Sequence, residues 1–141
     1  MIARVMAVSS LIMLGACKTA GPASIAYDAD TCTRCHMQIS DRRFSAEVVT
    51  RHGRTLKFDS IDCLRAYTTQ PGATIEPAST WVATFVDPGV MLRADRAYFV
   101  DLGASRGPMG TTHGWAAVAS PAEAARLGAD TTKLLRWADL S

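Results

Sequence analysis

A short apolar run at the N-terminus decides how much of this chain is available to fold. The run covers residues 5–14, follows a single arginine and precedes small residues and Cys17. It is much shorter than the roughly 20 apolar residues of a membrane-spanning helix, and it has the order of a secretory signal. We therefore predict a signal peptide at residues 1–16, followed by a flexible tether of small and polar residues at 17–27.

The end of this signal, Leu14-Gly15-Ala16-Cys17, resembles a bacterial lipobox. In signals of that kind the cysteine is acylated and becomes the first residue, so the resemblance implies lipidation at Cys17. Lys18 follows the cysteine, which by analogy with enteric bacteria favours the outer membrane. We therefore predict a periplasmic protein that is anchored through its lipid to the outer membrane.

The remaining chain of about 115 residues suits one compact unit, or two very small units that share a core. Charged residues make up 20% of the sequence, and removing Arg4 with the signal lowers the formal net charge from +2 to +1. No basic stripe remains on the mature chain. The sequence therefore argues against nucleic acid as a partner.

Residues 28–88 are expected to form a ββαβ unit. Partial alternation of apolar residues predicts strands over 43–50, 55–59 and 80–86. Gly53 is placed to adopt a positive φ in the turn between the first two strands. Ser60 is a typical helix N-cap, and the helix that it begins should end by Gln70.

Residues 89–141 show the same order of elements. Strands are expected over 97–102, 115–119 and 132–137. Ser120 precedes a proline and stands three residues before Glu123, which is the pattern of a capped helix, here expected over 122–127. The sequence therefore predicts an α+β fold of two similar ββαβ halves packed together, with a single undivided α+β domain as the alternative.

The cysteines indicate a chemical role. Apart from Cys17 there are three, Cys32, Cys35 and Cys63, and an odd number leaves at least one thiol free. The Cys32-x-x-Cys35 motif fits half a zinc site, a redox dithiol or a soft-metal clasp. No second Cys-x-x-Cys completes a structural zinc site, and the pair precedes the first strand, unlike the pair of a thioredoxin-like protein.

Two loops offer further soft donors. Met37 lies two residues after Cys35, and thiolate and thioether ligands select Cu(I) over harder ions. Met109 and His113 lie in a glycine-rich loop, 107–114, where a methionine is badly placed to fill the core. The loops therefore predict a Cu(I) site between the halves. Two alternatives stay open, namely that Met37 is a core residue and that 107–114 is a plain surface loop.

Four short stretches together resemble the NosL family, and the likeness runs from about Asp28 to the C-terminus. The stretches are 32–39, 43–49, 58–64 and 108–110. NosL proteins are accessory lipoproteins of nitrous oxide reductase, so the resemblance implies a Cu(I) chaperone and not an enzyme. Its partners would be the reductase, whose copper-sulfide centre receives the copper, and the transporter complex that assembles this centre.

The resemblance also implies two ββαβ halves and a set of metal ligands. The ligand positions of the family fall on Cys35, Met37 and Met109. Secondary candidates are Cys32, His36 and His113. His36 stands where the family commonly has glycine, and the helix is expected to bury Cys63, which would then behave as a small apolar residue.

Other classes of protein stay open at this point. An enzyme similar to organomercurial lyases would use paired cysteines with a carboxylate, and Asp59 and Asp62 lie near Cys63. A lipoprotein that binds a partner without metal would not need the thiols. Zinc binding and dithiol redox chemistry are the alternative functions of the Cys32-x-x-Cys35 loop.

Overall fold

The computed structural model describes residues 21–108 and 111–140, which contain six strands and two α-helices. The bounds are β1 Ala46–Thr50, β2 Thr55–Phe58, α1 Ile61–Thr69, β3 Pro77–Ala83, β4 Met91–Arg93, β5 Tyr98–Asp101, β6 Trp115–Val118 and α2 Pro121–Arg126. The predicted signal peptide, Cys17 and Met109 lie outside the described residues. Within these residues, no helix is both long enough and apolar enough to cross a membrane.

The first four strands form an antiparallel sheet in the order β2-β1-β3-β4. The central strand β1 pairs on both sides, so that Val48 faces Leu56 of β2 and Thr80 of β3. Both faces of β1 are covered, because Val48 and Glu47 are each fully buried although they point in opposite directions. This double burial explains why the apolar alternation of β1 is only partial.

The N-terminal segment covers one face of this sheet. The Ala23 N–H donates to Glu47 Oε1 at 2.6 Å, and Lys57 Nζ donates to the Ser24 carbonyl at 2.8 Å. Ile25 is 9% exposed and belongs to the hydrophobic core. The predicted tether, 17–27, is therefore packed on the sheet from Ala23 onwards, because its one large aliphatic side chain and two backbone groups find partners there.

Local signals in the sequence are confirmed at both helices and at the β1–β2 turn. Ser60 Oγ accepts from the Cys63 N–H at 3.1 Å, and Ser120 Oγ accepts from the Glu123 N–H at 3.3 Å. Gly53 has a φ of 78° in the turn that joins β1 to β2. These predictions succeed because each depends on residues within one turn of the chain.

The second sheet contains β5 and β6, paired antiparallel, with α2 beside them. The predicted strand over 132–137 is wrong, because Thr131–Lys133 is a 3-10 helix and only Leu135 forms a bridge, to Phe99. The Asp130 carboxylate accepts from both the N–H and the hydroxyl of Thr132, and this local bonding competes with strand pairing. Both parts of the chain show the order β-β-α, and their origin as two similar halves stays a prediction.

The predicted strand over 80–86 is shifted, since β3 runs from Pro77 to Ala83 and the short strand β4 follows it. Beyond Ala83 the chain leaves the first sheet for the second, where the Phe85 N–H donates to the Ala117 carbonyl at 2.8 Å. This contact joins the two sheets. One hydrophobic core spans both of them, because Val48 and Phe58 belong to the same buried cluster as Phe99 and Trp115.

Candidate metal centre

The Cys32-x-x-Cys35 loop is a tight turn fixed at its base. The Cys32 N–H donates to the Met37 carbonyl at 2.8 Å, and the His36 N–H donates to the Cys32 carbonyl at 3.0 Å. His36 has a φ of 61°, a left-handed conformation that favours glycine. The Thr33 N–H donates to the Lys57 carbonyl at 2.8 Å, so that the loop is attached to β2.

Helix α1 begins beside this loop. Asp59 and Ser60 follow the end of β2, and Cys63 is the third residue of the helix. Cys63 is 3% exposed, which confirms the prediction that the helix buries it. The Sγ atoms of Cys32, Cys35 and Cys63 and a carboxylate oxygen of Asp59 all lie within 4.8 Å of one another. We call these four residues the thiol cluster.

Hydrogen bonds within the thiol cluster set the protonation of its members. A hydrogen bond from Cys63 lowers the pKa of Cys32 to about 6, and the same contact raises the pKa of Cys63. Burial raises the pKa of Cys35, whose Sγ donates to Asp59 Oδ2 at 3.6 Å. Cys32 is therefore the first thiol of the cluster to become a thiolate, which is the form that binds metals.

The predicted ligands differ in where they lie. Cys35 is half-buried within the thiol cluster, and Met37 is 39% exposed at the end of the same turn, so Met37 is not a core residue. Of the secondary candidates, Cys32 belongs to the cluster and the exposed His36 does not. Met109 lies outside the described residues.

His113 has other partners. Its Nδ1 lies 2.9 Å from Asp101 Oδ2, and its ring stacks on Trp115 with 4.5 Å between the centroids. It is not a member of the thiol cluster.

Sequence reasoning did not include Cys63 and Asp59 among the metal ligands. The burial of Cys63 was a correct prediction, and its interpretation as a purely apolar residue followed from that burial. The sequence does place Cys63 three residues after the N-cap Ser60, and therefore close to the end of β2. What the sequence does not give is that the Cys32 loop is attached to the same strand.

The second loop is anchored to α1 by Asp62. Its carboxylate accepts from the N–H groups of four consecutive residues, at 3.0 Å from Thr112, 2.7 Å from His113, 3.3 Å from Gly114 and 3.0 Å from Trp115. The chain that follows Met109 is therefore fixed to the helix that carries Cys63. In the sequence, Asp62 stands out only as a carboxylate near Cys63, and its bonds to residues 112–115 were not predicted.

Three thiols and one carboxylate in close proximity are a donor set for thiophilic metal ions. The fold and this site define a small α+β protein with a thiol-rich candidate metal centre. The sequence matches the family described as NosL over residues 22–141, and the chain belongs to the NosL family.

A solved structure has a similar fold. The crystal structure of the copper chaperone NosL from Shewanella denitrificans has a TM-score of 0.67 to this protein at 20% sequence identity. The match covers 85% of this chain and 96% of that one. No curated protein sequence matches. The family and the α+β fold class predicted from the sequence are thus confirmed.

Proposed function

We propose that this protein is a periplasmic copper chaperone, which binds Cu(I) as cargo and delivers it for the maturation of nitrous oxide reductase. The observation that carries the proposal is the thiol cluster, in which three Sγ atoms and one carboxylate oxygen lie within 4.8 Å of one another in a member of the NosL family. The copper chaperone from Shewanella denitrificans, which has a similar fold, supports the same conclusion.

The ligands proposed for Cu(I) are Cys35, Met37 and Met109. Cys35 is the half-buried thiol of the cluster, and Met37 is exposed two residues further along the same turn. Accessible donors suit an ion that has to be passed on, because a partner's ligands can reach it without unfolding the protein. Cu(I) accepts two or three soft ligands, so a thiolate and thioethers are sufficient.

The position in the cell follows from lipidation at Cys17. Ala23, which is hydrogen-bonded to Glu47, lies six positions after Cys17, and a chain of that length spans at most roughly 20 Å. The domain would therefore stay close to the membrane surface. We propose the outer membrane as the site of attachment, and the reductase with its copper-site assembly transporter as the partners.

An anaerobic Cu(I) titration against a competing chelator tests the ligands. Cys35→Ser and Met109→Ala should each weaken binding by orders of magnitude, and X-ray absorption of the loaded protein should show a sulfur-rich shell of low coordination. His36→Gly is the control, because its side chain is exposed and its φ of 61° suits glycine. Normal Cu(I) binding by both ligand variants would refute the ligand assignment.

A second measurement tests the destination of the copper. In cells that lack this protein, nitrous oxide reductase should be purified with a depleted catalytic copper centre, and the wild-type gene should restore it. The Cys35→Ser gene should not. A reductase with its full copper content in such cells would contradict the proposed partner and leave the copper-binding result untouched.

A further inference from the structure

We propose that the loop between β3 and β4, residues 84–90, rests together with Arg42 on the phospholipid bilayer to which Cys17 is attached. We call this surface the membrane face. The loop carries two of the three large apolar side chains that are exposed in the described part of the chain, Val86 at 37% and Val90 at 46%. The proposal rests on the lipidation of Cys17 in the proposed function, and it adds which side of the domain meets the bilayer.

Backbone hydrogen bonds hold the loop in one shape. The Thr84 N–H donates to the Val90 carbonyl at 2.8 Å, and the Val90 N–H donates to the Asp87 carbonyl at 3.1 Å. The Gly89 N–H donates to the Arg42 carbonyl at 3.1 Å, which joins the loop to the segment before β1. The exposed valines are therefore presented by an ordered loop, and contact with a bilayer does not have to order it first.

The lipidated end of the chain enters the domain beside this loop. Pro22 lines a surface cavity of about 600 Å³ together with Arg42, Gly89 and Met91. It lies five positions after Cys17, so the two residues are at most roughly 18 Å apart. A compact domain of this size is roughly 35 Å across. Because the tether is shorter than the domain is wide, the side around Pro22 is the side that approaches the bilayer.

Arg42 supplies a polar contact for the lipid headgroups. Its guanidinium lies 4.4 Å from the centroid of the Tyr27 ring, and within the described residues it forms no ion pair. A guanidinium binds phosphate oxygens, which every phospholipid headgroup contains. Arg43 is paired with Asp41 at 2.6 Å, and Asp87 in the loop offsets the charge of Arg42. We therefore expect apolar contact and one phosphate, and not net charge, to hold the membrane face on the bilayer.

The lipid makes a weak contact sufficient. Once the acyl chains are in the bilayer, docking of the domain is an intramolecular step with a high effective concentration of membrane surface. Two valines and one arginine can then bias the orientation of an anchored domain, although they would not hold a free protein on a membrane. Phe58 of β2 and Val82 of β3 both pair with Ala46, so the thiol cluster and the loop follow the same end of the sheet. Docking would hold the metal donors near the bilayer.

Fluorescence quenching by brominated phosphatidylcholine tests the contact on the full mature chain, lipidated and reconstituted in vesicles of that lipid. The added emission of Val90→Trp, measured against the wild type with its three tryptophans, should fall at least about twofold on bromination. His52→Trp is the matched control, because the exposed His52 lies in the turn at the opposite end of β1, and its emission should be unchanged. In the Val90→Trp background, Arg42→Gln should reduce the quenching, whereas Arg54→Gln in the same distant turn should not.

Several results would overturn the membrane face. Equal quenching of Val90→Trp and His52→Trp would show that the domain has no preferred side, and no quenching of either would show that it does not touch the bilayer. Unchanged quenching in Arg42→Gln would refute the phosphate contact. Val86→Trp replaces Val90→Trp if circular dichroism shows that the latter does not fold.

Failure of the membrane face is distinguishable from failure of the proposed function. Mass spectrometry of the mature chain measures the acyl groups on Cys17. A lipidated chain without quenching would refute the membrane face alone. A chain without acyl groups would refute the proposed anchor and the membrane face with it, and the Cu(I) titration of Cys35→Ser would still decide the copper proposal.

Discussion

Two buried carboxylates, Asp62 and Glu47, each attach a distant segment to the first sheet and its helix, and they differ in their donors. Asp62 on α1 accepts from four backbone N–H groups of the second loop, at 2.7 to 3.3 Å. Glu47 on β1 accepts from the Ala23 N–H alone. Its second oxygen, Oε2, is buried without a hydrogen-bond partner in the described part of the chain.

The number of donors decides what burial does to each carboxylate. Four N–H groups donate to the two oxygens of the Asp62 carboxylate, so this buried polar side chain keeps its hydrogen bonds while it fixes the second loop. Burial raises the pKa of Glu47, and its two lowering influences, the Ala23 N–H and the charge of Lys57, do not offset this. For these two residues we expect the number of hydrogen-bond donors, more than the depth of burial, to decide whether the carboxylate stabilises the fold.

The largest effect is expected from Asp62→Asn. The amide oxygen can accept from only some of the four N–H groups, and its NH₂ group faces donors, so buried N–H groups lose their acceptor. We expect the free energy of unfolding to fall by about 3 kcal/mol. Urea denaturation measures it, with the exposed Asp95→Asn as the control, expected within about 0.5 kcal/mol of wild type. Equal effects of the two substitutions would show that Asp62 does not anchor the loop.

Gly114→Ala should disturb the backbone of the loop that Asp62 binds. Gly114 has a φ of 64°, and a Cβ atom there would lie 2.5 Å from the Gly103 carbonyl oxygen. We expect a loss of about 2 kcal/mol in thermal unfolding. Gly53→Ala is the matched control, since Gly53 has a φ of 78° with nothing within 4 Å of the added Cβ, and should cost about 1 kcal/mol. A Gly114→Ala protein as stable as the control would mean that Gly114 does not lie close to the Gly103 carbonyl.

Glu47→Gln should raise the free energy of unfolding at pH 7, whereas Asp62→Asn should lower it. The folded-state pKa of Glu47 is raised, so its protonated form stabilises the fold below pH 4.5, and this stability is lost as the pH rises through the folded-state pKa. Glutamine keeps an acceptor for the Ala23 N–H and carries no charge. We expect the variant to be about 1 kcal/mol more stable at pH 7 and to lose the pH dependence that Glu47 causes. Thermal melts from pH 4 to pH 8 test this, and a destabilised variant at pH 7 would contradict it.

The smallest effect is expected from Lys57→Met. Lys57 Nζ donates to the Ser24 carbonyl and, at 2.6 Å, to Asp30 Oδ2, and its charge favours the ionised form of Glu47. Partly exposed ion pairs contribute little, so we expect a loss of about 0.5 kcal/mol at pH 7. In the Glu47→Gln background the loss should be smaller, because no negative charge remains at position 47. A double-mutant cycle by chemical denaturation measures this coupling, and strict additivity would show that the two charges do not interact.

The sequence predicted local structure correctly where the residues that determine it lie within one turn of the chain. Ser60, Ser120 and Gly53 belong to this class, and the α+β class was predicted from the order of the expected strands and helices. The strand predicted over 132–137 failed because the carboxylate of Asp130 forms a local turn that apolar periodicity does not register.

Features of the site that depend on residues far apart in the chain could not be predicted from the sequence. Asp62 and Trp115 are 53 positions apart, and their hydrogen bond depends on how the two sheets share a core. Cys32 and Cys63 meet because the Thr33 N–H bonds to the edge of β2, just before the helix begins. Cys35 was accessible to sequence reasoning because its partner in the motif lies three residues away. The contributions of Met37 and Met109 stay predictions.

The attachment of the thiol loop to β2 has a consequence for the solution behaviour of the protein. β2 is an edge strand of its sheet. Edge strands present unpaired N–H and carbonyl groups, with which a strand of another chain can pair. The hydrogen bond from the Thr33 N–H to the Lys57 carbonyl occupies part of this edge. The turn that carries Cys32 and Cys35 thus also covers part of an edge at which another chain could pair, and we expect variants that open the turn to self-associate more readily.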